Sequence, residues 1–297
     1  MADDRASARN FEISSVVSRT FELISKNIPL YAGLSLVLLG IPGFGSRWWQ
    51  FENPTDFTND DAVFQAAISP LFWLPMLVIF VVSMVATAIL QAALTRAAVT
   101  SLSDNEPDFG QCLALGLSLI PQLVGIFLIN WIAILVIWLG LLVPYGFLLD
   151  QLYGWEVAQA MMAFGDWKVI LPIPFLLLPG LFLWLCWCVV VPAFVQERIG
   201  VIEAFRRSWA LTRHVRFRIF LVLLALGLVI WLLSFPVNIA AAATLAIGAS
   251  PLMVALISGA FSALTGMVTV VMLASIYVEL REVKENIAPE TLETIFG

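Results

Sequence analysis

Charge is what this sequence has least of. Lys, Arg, Asp and Glu together make up 12% of its 297 residues, where an ordinary soluble domain carries about 25%. A chain of this length could bury a core in water, but it could not cover that core with so few charges. With 61% of its residues apolar, its solvent is lipid, which argues against a water-soluble enzyme or a nucleic-acid binder. Histidine is nearly absent too: His214 is the single imidazole, and one imidazole without a placed partner makes no acid–base pair. Cysteine is scarce and odd in number, at Cys112, Cys186 and Cys188. The Cys186-x-Cys188 spacing is that of neither a zinc nor a redox motif, so all three read as small apolar residues in helices. No G-x-S-x-G, H-E-x-x-H or phosphate-loop motif occurs, and the carboxylates are scattered. No catalytic residue, metal or cofactor is expected.

What is present is long apolar runs. The first 27 residues are polar or amphipathic and carry no apolar stretch of the secretory-leader kind. Phe11, Val16, Val17, Phe21 and Ile24 recur there at helical spacing, with Arg19, Glu22 and Lys26 between them. That pattern predicts a helix lying at the headgroup plane. Six stretches then reach the length a bilayer needs: residues 28–44, 70–95, 119–149, 169–195, 219–245 and 252–278. The fold class expected is an all-α polytopic membrane bundle of six transmembrane helices with cytoplasmic interfacial amphipathic helices. It divides into an N-terminal segment 1–27, a membrane domain 28–278 and a C-terminal tail 279–297. Pro75, Pro121, Pro144, Pro172, Pro174, Pro179, Pro192 and Pro236 punctuate the spans. A membrane bundle tolerates them because neighbours satisfy the freed carbonyls.

Orientation follows from the basic residues. With six spans, thirteen Lys and Arg fall on the side of the two termini, and only Arg47 and Lys168 on the other. The positive-inside rule then puts both termini in the cytoplasm. Trp48, Trp49, Trp73, Trp155 and Trp167 gather at the opposite boundary, where indoles prefer to sit. The outer loops, an acidic one with Glu52, Asp56, Asp60 and Asp61 and a second holding Met161, Met162 and Phe164, are too small for a folded catalytic domain.

A weak repeat runs through the chain. RTFELISK at Arg19–Lys26 aligns with RSWALTRH at Arg207–His214, matching Arg19 to Arg207, Thr20 to Ser208, Phe21 to Trp209 and Leu23 to Leu211. Asp108–Ser118 occupies the equivalent place before the third span. Three copies of an interfacial helix followed by a two-span hairpin would account for this.

Within the spans there is no Asp, Glu, Lys, Arg or His, which speaks against a coupled pump. Asn130 and Asn238 are the polar side chains of note, expected to hydrogen-bond between helices. Ala255, Gly259, Ala263 and Gly266 space small residues along the sixth span with Ser262, for close packing inside the monomer first and for self-association second. The fourth loop is rich in arginine: Arg206, Arg207, Arg213, Arg216 and Arg218, with Arg198 before them. Ile199, Ile202, Phe205, Trp209 and Thr212 form an apolar stripe beside them. A helix over Val201–Thr212 is predicted, parallel to the membrane, with Trp209 at headgroup depth, the arginines on anionic phosphates and a bend near Arg213–Phe217.

The segment VPAFVQERIGVIEAFRRSWALTRHVRFRIFLV, Val191–Val222, with the opening VSRTFELISKN and the closing YVELREVKENIAPETLETIF, resembles the bacterial glycerophosphoryl diester phosphodiesterase membrane-domain family and the related YciC-like inner-membrane proteins. The resemblance covers nearly the whole chain. It implies a six-span inner-membrane protein without the phosphodiesterase domain that gives the family its name, and it carries over no catalytic residue. The expected role is non-enzymatic membrane organisation or support of a partner or lipid process. The alternative is an uncoupled transporter or channel for a small or lipidic solute. The partners expected are the anionic headgroups of the bilayer, and a protein partner or a second copy of the chain. Nucleic acid is not expected.

Overall fold

A computed structural model describes residues 11–52, 69–102, 107–154, 166–246 and 250–285. Most of the acidic loop, the segment with Met161, Met162 and Phe164, and the last twelve residues lie outside the described residues. Every regular element among the described residues is helical. Six helical stretches are long and apolar enough to cross a membrane, so the chain is an integral, multi-pass membrane protein.

Helix α1, Ile13–Lys26, ends where Asn27 leaves helical geometry. The first span follows as α2 (Ile28–Ser35), a π-helical turn (Leu36–Gly40) and α3 (Ile41–Glu52). It is longer than the expected 28–44, because the helix carries Trp48 and Trp49 through to Glu52 instead of releasing them into a loop. The second span is α4, Pro70–Leu102. Helix α5, Phe109–Ser118, starts on Asp108, whose carboxylate accepts the Gln111 N–H at 2.9 Å, an N-cap that satisfies a free donor. The third span, α6, runs Ile120–Tyr153 and stops at Gly154, whose φ of 78° only glycine adopts freely. The fourth span is broken into α7 (Trp167–Ile170), α8 (Pro172–Trp187) and α9 (Val190–Glu197). Helix α10 occupies Val201–Thr212, the range read from the sequence, and Glu203 accepts the Gly200 N–H at its start. A turn at 213–215, with His214 at φ 74°, leads into the fifth span, α11 (Arg216–Ala246). The sixth, α12, is Pro251–Glu285.

Helix α12 is the hub, touching α1, α3, α4 and α11 along its length. Lipid tails are as apolar as leucine, so burying apolar area cannot by itself drive helices together in a bilayer, and close packing must. The small residues of α12 supply it. A methyl on Gly259 would stand 2.7 Å from the Gly40 carbonyl oxygen and 3.1 Å from Phe44 Cβ. One on Gly43 would meet Ser262 Cβ at 2.9 Å. Ala255 and Ala263 are buried in the same seam, and Gly266 receives Leu39. The small-residue face is therefore filled by the chain's own first span. Helices α6 and α11 instead turn large side chains outward: Val136, Val143 and Phe147 on α6 are all more than 60% exposed, an apolar surface of the extent that marks a lipid contact.

The short helices follow one rule. Each precedes an odd-numbered span, and each docks on the end of an even-numbered one: α5 on α4, α10 on α8 and α9, and α1 on α12. The last pairing brings the N-terminal helix onto the C-terminal span and closes the ring.

Candidate functional site

Most charged residues of the described chain converge at the end of the bundle where the three short helices dock. Here the structure corrects the sequence reading. The tail expected from residue 279 is helix as far as Glu285, and Glu279, Arg281 and Glu282 are buried, Glu279 completely. Ser275, Glu279 and Glu282 recur at helical spacing past the apolar run, a signal that the last span continues. Charges end an apolar stretch in sequence, but paired charges do not end a helix.

Two ion clusters hold the short helices. Arg19 on α1 lies 2.9 Å from Glu282 and 3.5 Å from Glu279, and Ser15 donates to Glu279 at 2.7 Å. Thr20, buried beside them, donates to Ser275 Oγ at 3.2 Å. In the second cluster Arg207 Nε donates to both oxygens of Glu197, at 2.9 and 2.8 Å. Tyr277 donates to the same carboxylate at 3.0 Å, and Arg281 Nε stands 4.0 Å from it.

The aligned positions of the repeat behave alike. Arg19 and Arg207 each pair with glutamate at the end of an even-numbered span. Thr20 and Ser208 are fully buried and hydrogen-bond into a neighbouring long helix, Ser208 to the Cys186 carbonyl at 2.8 Å. Leu23 and Leu211 are buried, and Phe21 and Trp209 are exposed. On α5, Cys112 stands at the same distance before its span as Thr20 and Ser208 do before theirs, and it too is buried. Burial pushes its thiol above the ordinary range, against the opposing pull of Arg96.

The arginines of the fourth loop separate into different roles. Arg207 is taken up by Glu197 and is not free for a phosphate. Arg218 donates to the Phe11 carbonyl at 2.9 Å. Arg206 and Arg213 are exposed, and the Arg213 carbonyl accepts Lys284 Nζ at 3.0 Å. Arg216 lies 4.3 Å over the Trp209 ring and 5.0 Å over Phe182, a double cation–π contact. Its Nε and one terminal nitrogen are shielded and make no hydrogen bond among the described residues.

The apolar stripe of α10 divides between two faces. Ala204, Phe205, Ser208, Leu211 and Thr212 are the buried face, while Ile202 and Trp209 are 67% and 41% exposed. The hydroxyls of Thr212, a member of that stripe, and of Ser208, outside it, both belong to the buried face. Their acceptor, the Cys186 carbonyl, lies beside the break between α8 and α9, which sequence periodicity does not reveal.

Of the two asparagines, Asn238 does not bridge helices. It is exposed and donates to the Ser234 carbonyl of its own helix at 2.8 Å. Asn130 is half-buried, with an Oδ1 that has no partner among the described residues.

Fold and site together define a polytopic α-helical membrane protein with a charged collar at one end. Residues 56–280 match the family described as Domain of unknown function (DUF7847). The chain belongs to that family. No curated protein and no solved structure matches it at a significant level.

Proposed function

We propose that this is a non-catalytic protein of a bacterial inner membrane, with both termini in the cytoplasm, that organises the bilayer by holding anionic phospholipid headgroups at its charged end. The observation that carries the reading is the surplus of unpaired cations at the corner between α10 and α11. Arg206, Arg213 and Arg216 have no carboxylate partner among the described residues. Within the described chain the Arg216 charge is met only by two aromatic faces. Cations of this kind near an anionic leaflet each contribute about 1 kcal/mol of attraction. The cytoplasmic placement is supported by the basic residues concentrated on this side, and the bacterial inner membrane by the likeness of Val191–Val222 and both ends of the chain to the phosphodiesterase membrane-domain and YciC-like proteins. The non-catalytic reading is supported by His214, the one imidazole of the sequence, which stands exposed on a turn.

The test is the composition of the lipid shell. In reconstituted protein, spin-labelled phosphatidylglycerol is expected to be enriched over phosphatidylcholine in the motion-restricted shell. Arg216→Gln combined with Arg213→Gln is expected to reduce the enrichment, and salt to screen it. Equal selection of the two lipids by the wild-type protein sinks the proposal.

A further inference from the structure

A cavity of about 90 Å³ lies between α4, α6, the break from α8 to α9, and α10. Gln91, Asn130, Trp184, Trp187, Cys188 and Phe205 are among its walls. Its depth follows from the helices. Asn130 is ten residues into the 34 of α6, so at 1.5 Å per residue it sits about 15 Å from the charged end of that helix, inside the hydrocarbon core but on the charged side of its middle.

Two observations make this more than a packing gap. The Asn130 Oδ1 atom is buried and accepts no hydrogen bond among the described residues. A bare acceptor at that depth has no water to fall back on unless the cavity supplies a donor. The wall beside it is also irregular backbone. Residue 192 is proline, so the Cys188 carbonyl loses its helical i+4 donor. Non-helical backbone at membrane depth is tolerated where it is buried in protein or lines a water-filled cavity, and here the break is buried and lines the cavity. The described walls carry no ionisable group other than the Cys188 thiol, so nothing there would neutralise an ion. The two side-chain amides can both give and accept hydrogen bonds. The volume holds about three waters at their liquid share.

We propose that this cavity is a binding site for a small uncharged molecule that carries hydrogen-bond donors, of the amide or alcohol class and of about four non-hydrogen atoms. Asn130 Oδ1 receives its N–H or O–H, Gln91 provides the second polar contact, and walls without a cationic group exclude anionic analogues. The site is separate from the arginine corner and does not rest on headgroup binding.

The experiment labels the full-length protein with 5-fluorotryptophan in nanodiscs, with Trp184 and Trp187 assigned by Trp184→Phe and Trp187→Phe. Acetamide and ethylene glycol are the neutral probes, and acetate is the charged counterpart of acetamide. The expected result is a saturable shift of the Trp184 and Trp187 fluorine signals with a neutral probe and none with acetate. Asn130→Leu should raise the half-saturating concentration about tenfold, as loss of one hydrogen bond implies. Asn238→Leu, at an exposed position, should leave it unchanged. Gln91→Met serves as a second variant should Asn130→Leu fold poorly. The proposal is overturned if neither neutral probe gives a saturable shift, if acetate shifts the signals equally, or if both cavity variants bind like wild type.

Discussion

Ser15 donates a 2.7 Å hydrogen bond to Glu279 across 264 positions of sequence, and through it the first described helix is clasped to the last. The acceptor is fully buried. Its charge is balanced by Arg19, whose side chain is only 14% exposed. Helix α1 is therefore a structural part of the bundle, not a free amphipathic arm. The same device recurs at Arg207 and Glu197, so two of the three short helices are fixed by an arginine reaching the end of an even-numbered span.

Removing one partner of a buried pair leaves the other charge uncompensated, which costs about 3–5 kcal/mol. Arg19→Ala strands Glu279 and takes one partner from Glu282, and is expected to lower the thermal midpoint in detergent sharply and to speed tryptic cleavage after Lys26. Replacing the buried pair together, with Arg19→Met and Glu279→Leu, should recover most of the loss, because Glu279 no longer stands as a bare charge. Arg207→Ala should cost less, since Arg207 is 28% exposed and Arg281 remains 4.0 Å from Glu197. An unchanged midpoint and protease pattern in Arg19→Ala would show that α1 is held by its apolar face alone.

The seam between the first and sixth spans makes a separate prediction. A methyl group at Gly259 would meet backbone, the Gly40 carbonyl oxygen at 2.7 Å, which cannot move without shifting the first span. Overpacking of this kind costs about 1–3 kcal/mol. Gly259→Ala is expected to lower the thermal midpoint, while Gly125→Ala, where a methyl meets nothing within 4 Å, should leave it in place. Equal behaviour of the two variants would mean that the close approach contributes little.

Much of the fold is legible in the sequence because lipid imposes a single strong rule: about twenty apolar residues for each crossing. Span number and the helix at Val201–Thr212 come from that rule and from helical periodicity. What stays hidden is whatever depends on pairing across the chain. Glu279 reads as the start of a polar tail until Arg19 and Ser15 are seen beside it. Ser208 reads as part of a polar face until the Cys186 carbonyl is seen above it. The break of the fourth span is foreshadowed by Pro192, yet its consequence, a cavity reaching Asn130, depends on where α4 and α6 pass. Phe21 and Trp209, read from the sequence as apolar residues at the headgroup plane, are turned outward by the ring of docked helices.

That outward turn allows the placement of α10 to be tested. Ile202, Arg206 and Trp209 lie on successive turns of the same exposed side of the helix. If the side faced water, two large apolar residues would be exposed for no return; at the membrane boundary the apolar members reach acyl chains while Arg206 extends to phosphate. Trp209 fits that depth, with its ring packed edge-on against Phe182 and its outer part open. A nitroxide at position 202, introduced as Ile202→Cys after the native cysteines are replaced by serine or alanine, is therefore expected to be relaxed strongly by oxygen, which concentrates in lipid, and weakly by a water-soluble nickel chelate. A second label at Arg206→Cys should show a more even response, being nearer the phosphates. Strong relaxation by nickel at position 202 in bilayers would place α10 in water and remove the lipid contact on which the headgroup proposal depends, while leaving its docking on the fourth span intact.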